Sequence, residues 1–383
     1  MELEKFLDDK PLYYDVIDYT RMPRVYARIE HELKIPKIIH LIGTNGKGTT
    51  GRFLACALFS LGYKVGHYTS PHIVAFNERI WINGKDVSSE LLDAAHVRLQ
   101  ALLTEVESAS LSYFEYTTLI AMLLFEDMEY VVLEAGLGGE FDATAVFQKV
   151  LTLVTPIDKD HEAFLGDTIE AIATTKLGAV QNAAILAKQK HEIVYSVAAT
   201  LKGKDIYKTQ DLLSMADYKK IQDISYLLSL APYLEENLKL SIAALKYFDM
   251  EYEVSDFREA KLFGRMSQIE KNILLDVGHN ALAAASIAEA LQGKKYTLIY
   301  NSYRDKDYKT ILATLKPIIE SVELIKVDEA RIEKRAFMQA AFDDLKLEYR
   351  DFTQIKEEKN YLVFGSFSVA QKFLETYKKI RKD

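Results

Sequence analysis

The sequence predicts an α/β protein with a mostly parallel sheet in its N-terminal part and a second, smaller α/β domain. Short apolar segments alternate with stretches of helical periodicity, which is typical of parallel strands joined by helices. The alternation is interrupted in the charged stretch 251–261 and restarts beyond it. We therefore expect one domain over residues 1–256 and another over 257–383.

Composition restricts the function classes. The 383 residues allow two or three domains, and the formal net charge of −8, with no basic run, argues against a nucleic-acid partner. Cys56 is the only cysteine, so an intramolecular disulfide is impossible. The first five residues are too polar for a signal peptide, and no apolar run is long enough to cross a membrane. We expect a cytoplasmic protein.

A glycine-rich loop lies between a predicted strand, 38–42, and a predicted helix that begins near residue 47. Glycines let the backbone turn tightly and aim N–H groups at a phosphate, and the helix N-terminus adds partial positive charge. The loop departs from the usual phosphate-loop spelling at Leu41 and Gly48, so a turn without a ligand is the alternative. The flanking elements favour a phosphate-binding loop, with its residues Gly43, Thr44, Asn45, Gly46, Lys47, Gly48 and Thr49.

The next elements carry candidate polar residues. A helix ends before Pro36, and a strand over 64–68 leads to Ser70 in a Ser-Pro turn. A small hairpin over 77–84 and a helix over 88–106 follow, and then a helix that begins with the aromatic segment 112–116. Ser70 follows a parallel strand, where α/β proteins place their sites, although a plain turn is the simpler interpretation.

The apolar strand 130–134 ends on a carboxylate, Glu134, and three glycines follow within five residues. Carboxylates are ligands that Mg²⁺ prefers, so Glu134 is a candidate metal ligand. A strand over 150–155 leads to Asp160 and His161, and a helix over 168–178 carries Lys176 in its last turn. Taken alone, such a lysine is more often a cap for the helix dipole.

The remaining elements follow the same alternation. A short strand covers 183–187, the poorly patterned residues 190–230 are expected to hold a small antiparallel sheet, and a helix covers 234–248. Beyond the boundary, strand–helix pairs predict a second, Rossmann-like parallel sheet. The predicted pairs are 273–277 with 281–291, 296–300 with 307–316, 322–327 with 333–344, and 361–364 with the final helix.

The loop Gly-Thr-Asn-Gly-Lys-Gly-Thr resembles the ATP loop of the folylpolyglutamate synthase and dihydrofolate synthase family, within the Mur ligase superfamily. Further motifs agree in order over most of the chain: Ser-Pro-His at 70–72, Glu-x-Gly-Leu-Gly-Gly-x-x-Asp-Ala-Thr at 134–144, and Asp-His-x-x-x-Leu-Gly at 160–166. The resemblance implies roles for matching positions. These are metal ligands Ser70, Glu134 and His161; pterin contacts Phe114, Glu115 and Asp142; a carbamylated Lys176; ATP contacts Asn237, Arg265 and Asp276; and glutamate contacts His279 and Ser366.

The chain also departs from the family pattern. Glu140 stands where the family often has arginine, and Ala281 stands where proline often follows His-Asn. Tyr233 and Leu234 replace a His-Gln pair before Asn237, which leaves the adenine pocket open to question. The region 190–215 looks shortened. These changes concern specificity more than reaction type.

The resemblance implies an ATP-dependent amide ligase that adds L-glutamate to dihydropteroate, to reduced folates, or to both, through an acyl phosphate. Lys47, Lys176 and His279 are the expected catalytic residues, and ATP with Mg²⁺ at two sites is the expected cofactor set. We expect a monomer with small-molecule substrates. A bifunctional enzyme is preferred; the alternatives are a monofunctional folylpolyglutamate synthase, a cell-wall Mur ligase, or a nucleotide-dependent switch ATPase.

Overall fold

The computed structural model describes residues 2–10 and 18–380, and it divides into two compact units. The first unit extends to Leu230 and includes Leu234–Lys261; the second comprises Ala231–Tyr233 and the chain from Leu262 onward. Met1, 11–17 and 381–383, which the expected domain ranges include, lie outside the described residues. The predicted α/β class, with a mostly parallel sheet and a second sheet, is confirmed.

The first unit is built on an eight-stranded sheet in the order β4-β3-β2-β5-β1-β6-β7-β8. Six strands are parallel, and the β3–β4 hairpin adds antiparallel pairing at one edge. The central strands are buried along their length, which is expected because a parallel sheet is covered on both of its faces. The strands are β1 Lys37–Ile42, β2 Val65–Tyr68, β3 Ile80–Ile82, β4 Lys85–Asp86, β5 Tyr130–Glu134, β6 Lys149–Val154, β7 Ala183–Leu186 and β8 Asp205–Lys208.

Helices surround this sheet, and several begin at side chains that accept a backbone N–H, as Ser112 and Thr168 do. They are α1 Glu2–Asp8, α2 Arg21–Ile29, α3 Lys47–Ser60, α4 Ser89–Leu102, α5 Glu105–Ser110, α6 Tyr113–Leu124, α7 Glu162–Leu165, α8 Ile169–Leu177, α9 Glu192–Ala199, α10 Thr209–Leu212, α11 Met215–Leu228 and α12 Pro232–Tyr247. Within the described ranges, no helix combines the length and apolar character needed to cross a membrane.

The second unit is a six-stranded sheet in the order β13-β12-β11-β14-β10-β9, parallel except for β9. Its strands are β9 Ser267–Glu270, β10 Ile273–Leu275, β11 Tyr296–Tyr300, β12 Ile319–Leu324, β13 Tyr349–Asp351 and β14 Tyr361–Phe364. Its helices are α13 Ala281–Ala290, α14 Tyr308–Leu315, α15 Arg335–Asp344 and α16 Phe367–Ile380. The short strands β9 and β13 were not predicted.

Two predictions about elements were wrong. Residues 190–230 form three helices and β8, which pairs in parallel with β7 and extends the main sheet, instead of a small antiparallel sheet. The helix expected over 88–106 is two helices, because Thr104 accepts the N–H of Glu107 and starts α5 with a capping box.

Candidate functional site

The glycine loop follows β1 and ends at the N-terminus of α3. Gly43 and Gly46 have φ values of 135° and 91°, in the region that favours glycine. A Cβ at Gly43 would lie 2.0 Å from the Thr155 hydroxyl, and one at Gly46 would lie 2.4 Å from Oδ1 of Asn237. Any side chain at position 43 or 46 would therefore clash with these neighbours, so the loop requires glycine at both positions.

Two lysines contact the carbonyl oxygen of Gly43. Lys47 Nζ donates to the carbonyls of Gly43 at 3.3 Å and Thr44 at 3.4 Å. Lys176 Nζ, which α8 brings from a distant part of the chain, donates to Gly43 at 2.9 Å. The structure thus assembles two lysine side chains around one backbone turn, where the charge of Lys47 would attract a polyanion.

Lys176 is buried, and its surroundings disfavour the charged form. Burial, followed by the nearby charge of Lys47, lowers the pKa of Lys176 to about 7, against the opposing effects of Asp160 and Asp142. A substantial fraction of this amine is therefore neutral near neutral pH. A neutral amine is the nucleophile that carbon dioxide requires to form a carbamate.

Glu134 lies at the same edge of the sheet as the loop, because β1 and β5 pair in parallel with Leu41 opposite Glu134. The carboxylate is buried, accepts the Thr69 hydroxyl hydrogen, and accepts the Ser70 N–H at 3.2 Å. Its Oε1 lies 3.9 Å from Lys47 Nζ. Sequence reasoning singled out Ser70 and Glu134 but missed Thr69, whose only signal was its position beside Ser70.

Thr49 has a buried hydroxyl with no hydrogen-bond partner within the described part of the chain. A buried polar atom without a partner is costly unless a ligand or ion satisfies it. Its place in the first turn of α3 fits an oxygen-liganded cation or a phosphate. The loop, with Thr49, Ser70 and Glu134 about it, therefore fits ATP and Mg²⁺.

His161 follows β6 in a left-handed conformation, with φ of 53°. Its Nε2 lies 3.9 Å from Oδ2 of Asp160, and its backbone N–H donates to Oδ1 of that carboxylate at 3.0 Å. Over residues 2–10 and 18–380, no group of three or more His, Cys, Asp or Glu side chains is arranged to hold a metal. The role of His161 as a metal ligand stays a prediction.

The residues expected to contact pterin meet at the turn after β5. Phe114 packs on Gly136, where a Cβ would lie 2.6 Å from the ring, and Asp142 accepts the N–H of Leu137 at 2.8 Å. Burial raises the pKa of Asp142, and hydrogen bonds to its carboxylate oppose that rise. Glu115 instead caps α6 through the Ser112 N–H and pairs with Arg21 at 2.8 Å.

The expected sites of the second unit lie where its parallel strands end. Asp276 follows β10 and accepts the Tyr233 hydroxyl at 2.8 Å and the N–H groups of Met266 at 2.9 Å and Gly278 at 2.8 Å. Tyr233, noted only as a departure in the sequence, is thus a direct partner of Asp276. Burial and this carboxylate raise the pKa of Tyr233.

The remaining candidates of the second unit make local contacts. The Arg265 guanidinium lies 5.3 Å from the centre of the Phe367 ring, and His279 Nδ1 lies 3.3 Å from the Val277 carbonyl. Ser366 accepts the N–H of Val369 at 3.1 Å and so caps α16. None of these contacts by itself assigns a ligand.

Comparison with known proteins places the chain among related enzymes. No family model matches it. The dihydrofolate synthase/folylpolyglutamate synthase of Haemophilus influenzae is 32% identical over 338 residues, covering 78% of this chain and 76% of that protein. The crystal structure of Helicobacter pylori folylpolyglutamate synthetase is 37% identical with a TM-score of 0.80 and covers 98% of both chains. The E. coli FolC structure in complex with ADP is 25% identical, with a TM-score of 0.80, and covers 100% of this chain and 98% of that one.

Proposed function

The chain belongs to the dihydrofolate synthase/folylpolyglutamate synthase family, and we propose how its own residues perform ligation. It is an ATP-dependent ligase that adds L-glutamate to dihydropteroate, reduced folates or both. The observation that carries the residue assignment is the loop 43–49, around which Lys47, Lys176 and Glu134 converge. Relatives of this family favour a ligase over a nucleotide-dependent switch or a cell-wall Mur ligase.

ATP binds on the glycine loop, with its phosphates at the N-terminus of α3. The related E. coli enzyme binds ADP, which supports this placement. Asn237 lies against Gly46 in the first unit and is proposed to contact the adenosine. Arg265 and Asp276 are the nucleotide contacts proposed for the second unit.

The reaction proceeds in two steps. An acceptor carboxylate oxygen attacks the γ-phosphorus, the bond to the β-phosphate oxygen breaks, and ADP leaves with an acyl phosphate formed. The amine of glutamate then attacks the acyl carbon, loses a proton, and expels inorganic phosphate as the amide forms. Lys47 leaves the loop carbonyls to contact the transferred phosphoryl group, since positioning and neutralisation of charge dominate this chemistry.

Ser70, Glu134 and His161 are the proposed holders of Mg²⁺ at two sites, with Thr49 beside the phosphates. When bound, Mg²⁺ neutralises phosphate charge during the transfer. Lys176 is proposed to carry a carbamate, which turns a cation into an anion with oxygen ligands. The lowered pKa of Lys176 supports this modification because the unmodified amine is often neutral.

Phe114 and Asp142 form the proposed pterin pocket, and His279 and Ser366 are proposed to contact L-glutamate. Glu115 is retained as a pocket residue only through its place beside Phe114, because its carboxylate caps α6 and pairs with Arg21. We propose a bifunctional, monomeric enzyme; a monofunctional folylpolyglutamate synthase is the near alternative.

The test is ADP release by the full chain over a panel of pteroates, reduced folates and amino acids. A bifunctional enzyme releases ADP only with L-glutamate and either acceptor class, and the product gains one glutamyl unit. Turnover with folates alone identifies the monofunctional alternative. Hydrolysis indifferent to acceptor and glutamate contradicts the ligase assignment.

A further inference from the structure

A buried chain of hydrogen bonds joins β1 to the proposed pterin pocket. His40, in the middle of β1, is fully buried, and its Nε2 lies 2.7 Å from the Thr144 hydroxyl. The same hydroxyl donates to Oδ1 of Asp142 at 2.5 Å. His40 is separated from Asp142 in sequence by about a hundred residues, and Thr144 is the link between them.

The direction of these bonds follows from the single hydrogen of the Thr144 hydroxyl. Because that hydrogen is donated to Asp142, the hydroxyl can only accept from His40, whose Nε2 must then carry a proton. Burial, with Lys149 second, holds the pKa of His40 well below its usual value, so the ring is neutral. His40 is therefore a neutral imidazole with its proton on Nε2, since the opposite tautomer would draw the Thr144 hydrogen away from Asp142.

Asp142 depends on such donors for its charge. It is buried, and it accepts N–H groups from Thr144 at 3.0 Å and Leu137 at 2.8 Å besides the Thr144 hydroxyl. Among the described residues, the charged groups whose fields reach it are Lys149 on β6 and the unmodified Lys176 on α8. A pterin ring presents amino and ring N–H donors. An ionised carboxylate accepts on both of its oxygens, whereas a protonated carboxyl commits one oxygen to an O–H donor.

We propose that His40 is a positioning residue for acceptor binding. By donating to Thr144 it fixes that hydroxyl as a donor to Asp142, and so holds the carboxylate in the orientation and charge state that an N–H donor of the acceptor requires. The inference rests on the proposed pterin pocket, which it deepens. Because His40 is fully buried, its proposed effect runs through Thr144 and not through contact with a ligand.

The experiment compares His40→Leu with His40→Gln, because the amide of glutamine can return an N–H donor to the place of Nε2. We expect His40→Leu to raise the KM for dihydropteroate about 10-fold, the upper end of the range for one hydrogen bond between neutral groups, with the KM for ATP unchanged. Without the His40 donor, the Thr144 hydroxyl is no longer held toward Asp142 and its bond to that carboxylate weakens. A weaker bond raises the pKa of the Asp142 carboxyl, so the acid limb of kcat/KM for dihydropteroate moves to higher pH. His40→Gln should restore both.

The matched control is His67→Leu. His67 is also fully buried in the same sheet, on β2, but neither ring nitrogen has a hydrogen-bond partner in the described ranges. This variant should leave the acid limb for dihydropteroate in place. An equal shift in His67→Leu would mean that loss of any buried histidine produces the effect, and would overturn the inference.

Two further variants separate the inference from the pocket on which it rests. If Asp142→Asn retains the wild-type KM for dihydropteroate, the pocket assignment fails and the inference with it. If Asp142→Asn loses acceptor binding while His40→Leu behaves as wild type, only the inference fails. Should the His40 variants not fold, Thr144→Val removes the Thr144 hydroxyl with little change of shape. The acid limb of kcat/KM for dihydropteroate should move to higher pH in Thr144→Val and should stay in place in Thr144→Ser. An unchanged acid limb in Thr144→Val overturns the proposal.

Discussion

Polar residues at the carboxyl ends of the parallel strands make different contacts in the two sheets. We call these ends the first edge in the first unit and the second edge in the second unit. At the first edge, Lys47, Lys176 and Glu134 lie around the glycine loop, with the lysines bonded mainly to backbone carbonyls. The nearby Thr49 hydroxyl has no partner among the described residues. This edge thus brings together charges of both signs and a buried hydroxyl without a hydrogen-bond partner. A bound polyanion and a cation would satisfy these groups.

At the second edge, three polar side chains accept backbone N–H groups, and Asp276 also accepts the Tyr233 hydroxyl. Asp276 accepts the N–H groups of Met266 and Gly278, Asn280 accepts that of Ala283, and Ser366 accepts that of Val369. Such contacts fix turns and helix N-termini. On the proposed assignment, the first edge carries the chemistry of phosphoryl transfer, so variants there should change rates. Variants of the helix cap Ser366 at the second edge should instead change stability and substrate affinity.

The largest effect is expected for Lys47→Ala. Removal of one pre-aligned cation from a site of developing negative charge costs ~10²–10³ in turnover or more. Within the described residues, this mostly buried side chain bonds to carbonyls of its own loop and lies 3.9 Å from Glu134, so the fold should survive. ADP release with saturating substrates measures the rate, and thermal melting verifies folding. Near-normal turnover of the folded variant would remove the loop from the mechanism.

Lys176→Ala should lose most activity if this lysine is carbamylated, and a small carboxylate such as acetate should restore part of it. The neutral amine fraction rises as pH passes through about 7, so activation of the wild-type enzyme by bicarbonate should strengthen over that range. The comparison is with Lys10, another buried lysine whose pKa is lowered to about 8, but which donates to Ser108 and Leu111. Lys10→Ala should leave the bicarbonate response intact. A fully active Lys176→Ala enzyme would falsify the carbamate.

Asp142→Ala should weaken use of dihydropteroate while leaving ATP binding intact. The carboxylate is surrounded by backbone donors from Leu137 and Thr144, so an alanine there leaves these N–H groups without an acceptor and the pterin without one as well. We expect the KM for dihydropteroate to rise ~10-fold or more, with the KM for ATP within twofold. Steady-state kinetics with each substrate varied in turn makes the measurement. An unchanged KM and rate for every pteroate would put the pocket elsewhere.

The local order of strand, glycine turn and helix could be read from the sequence because backbone geometry and periodicity over a few residues determine it. The glycine loop and the ends of β5 and β10 were predicted for that reason. The capping box of Ser112 and Glu115 has a visible spacing, yet the pairing of Glu115 with Arg21 joins residues far apart in sequence. That pairing could not be predicted.

The same limit applies elsewhere. The hydrogen bond between Tyr233 and Asp276 depends on the placement of the start of α12, and no periodicity encodes it. Residues 190–230 were misassigned because their amphipathic patterning is weak, whereas packing against the sheet decides their structure. β8 is only partly buried at the sheet edge, so its apolar signal is faint. Contacts between distant parts of the chain therefore decide the structure where the local sequence pattern is weak.

The smallest effect is expected for Ser366→Ala, and it tests the second edge directly. Ser366 caps α16 through the Val369 N–H, so the variant should lower the free energy of unfolding by about 1 kcal/mol. If Ser366 also contacts L-glutamate, the KM for glutamate should rise severalfold while the turnover number at saturation changes little. Denaturant unfolding and glutamate-dependent ADP release give the two numbers.

The control is Ser214→Ala, which removes an equivalent cap from α11, where Ser214 accepts the N–H of Asp217 at 3.2 Å. Both variants lose a cap, so both should lose a similar free energy of unfolding. Only Ser366→Ala should alter the KM for glutamate, because α11 carries none of the proposed substrate contacts. A rise in KM in both variants would trace the effect to lowered stability. A loss of turnover as large as that of Lys47→Ala would show that the two sheet edges share the chemistry, and the contrast between them would fail.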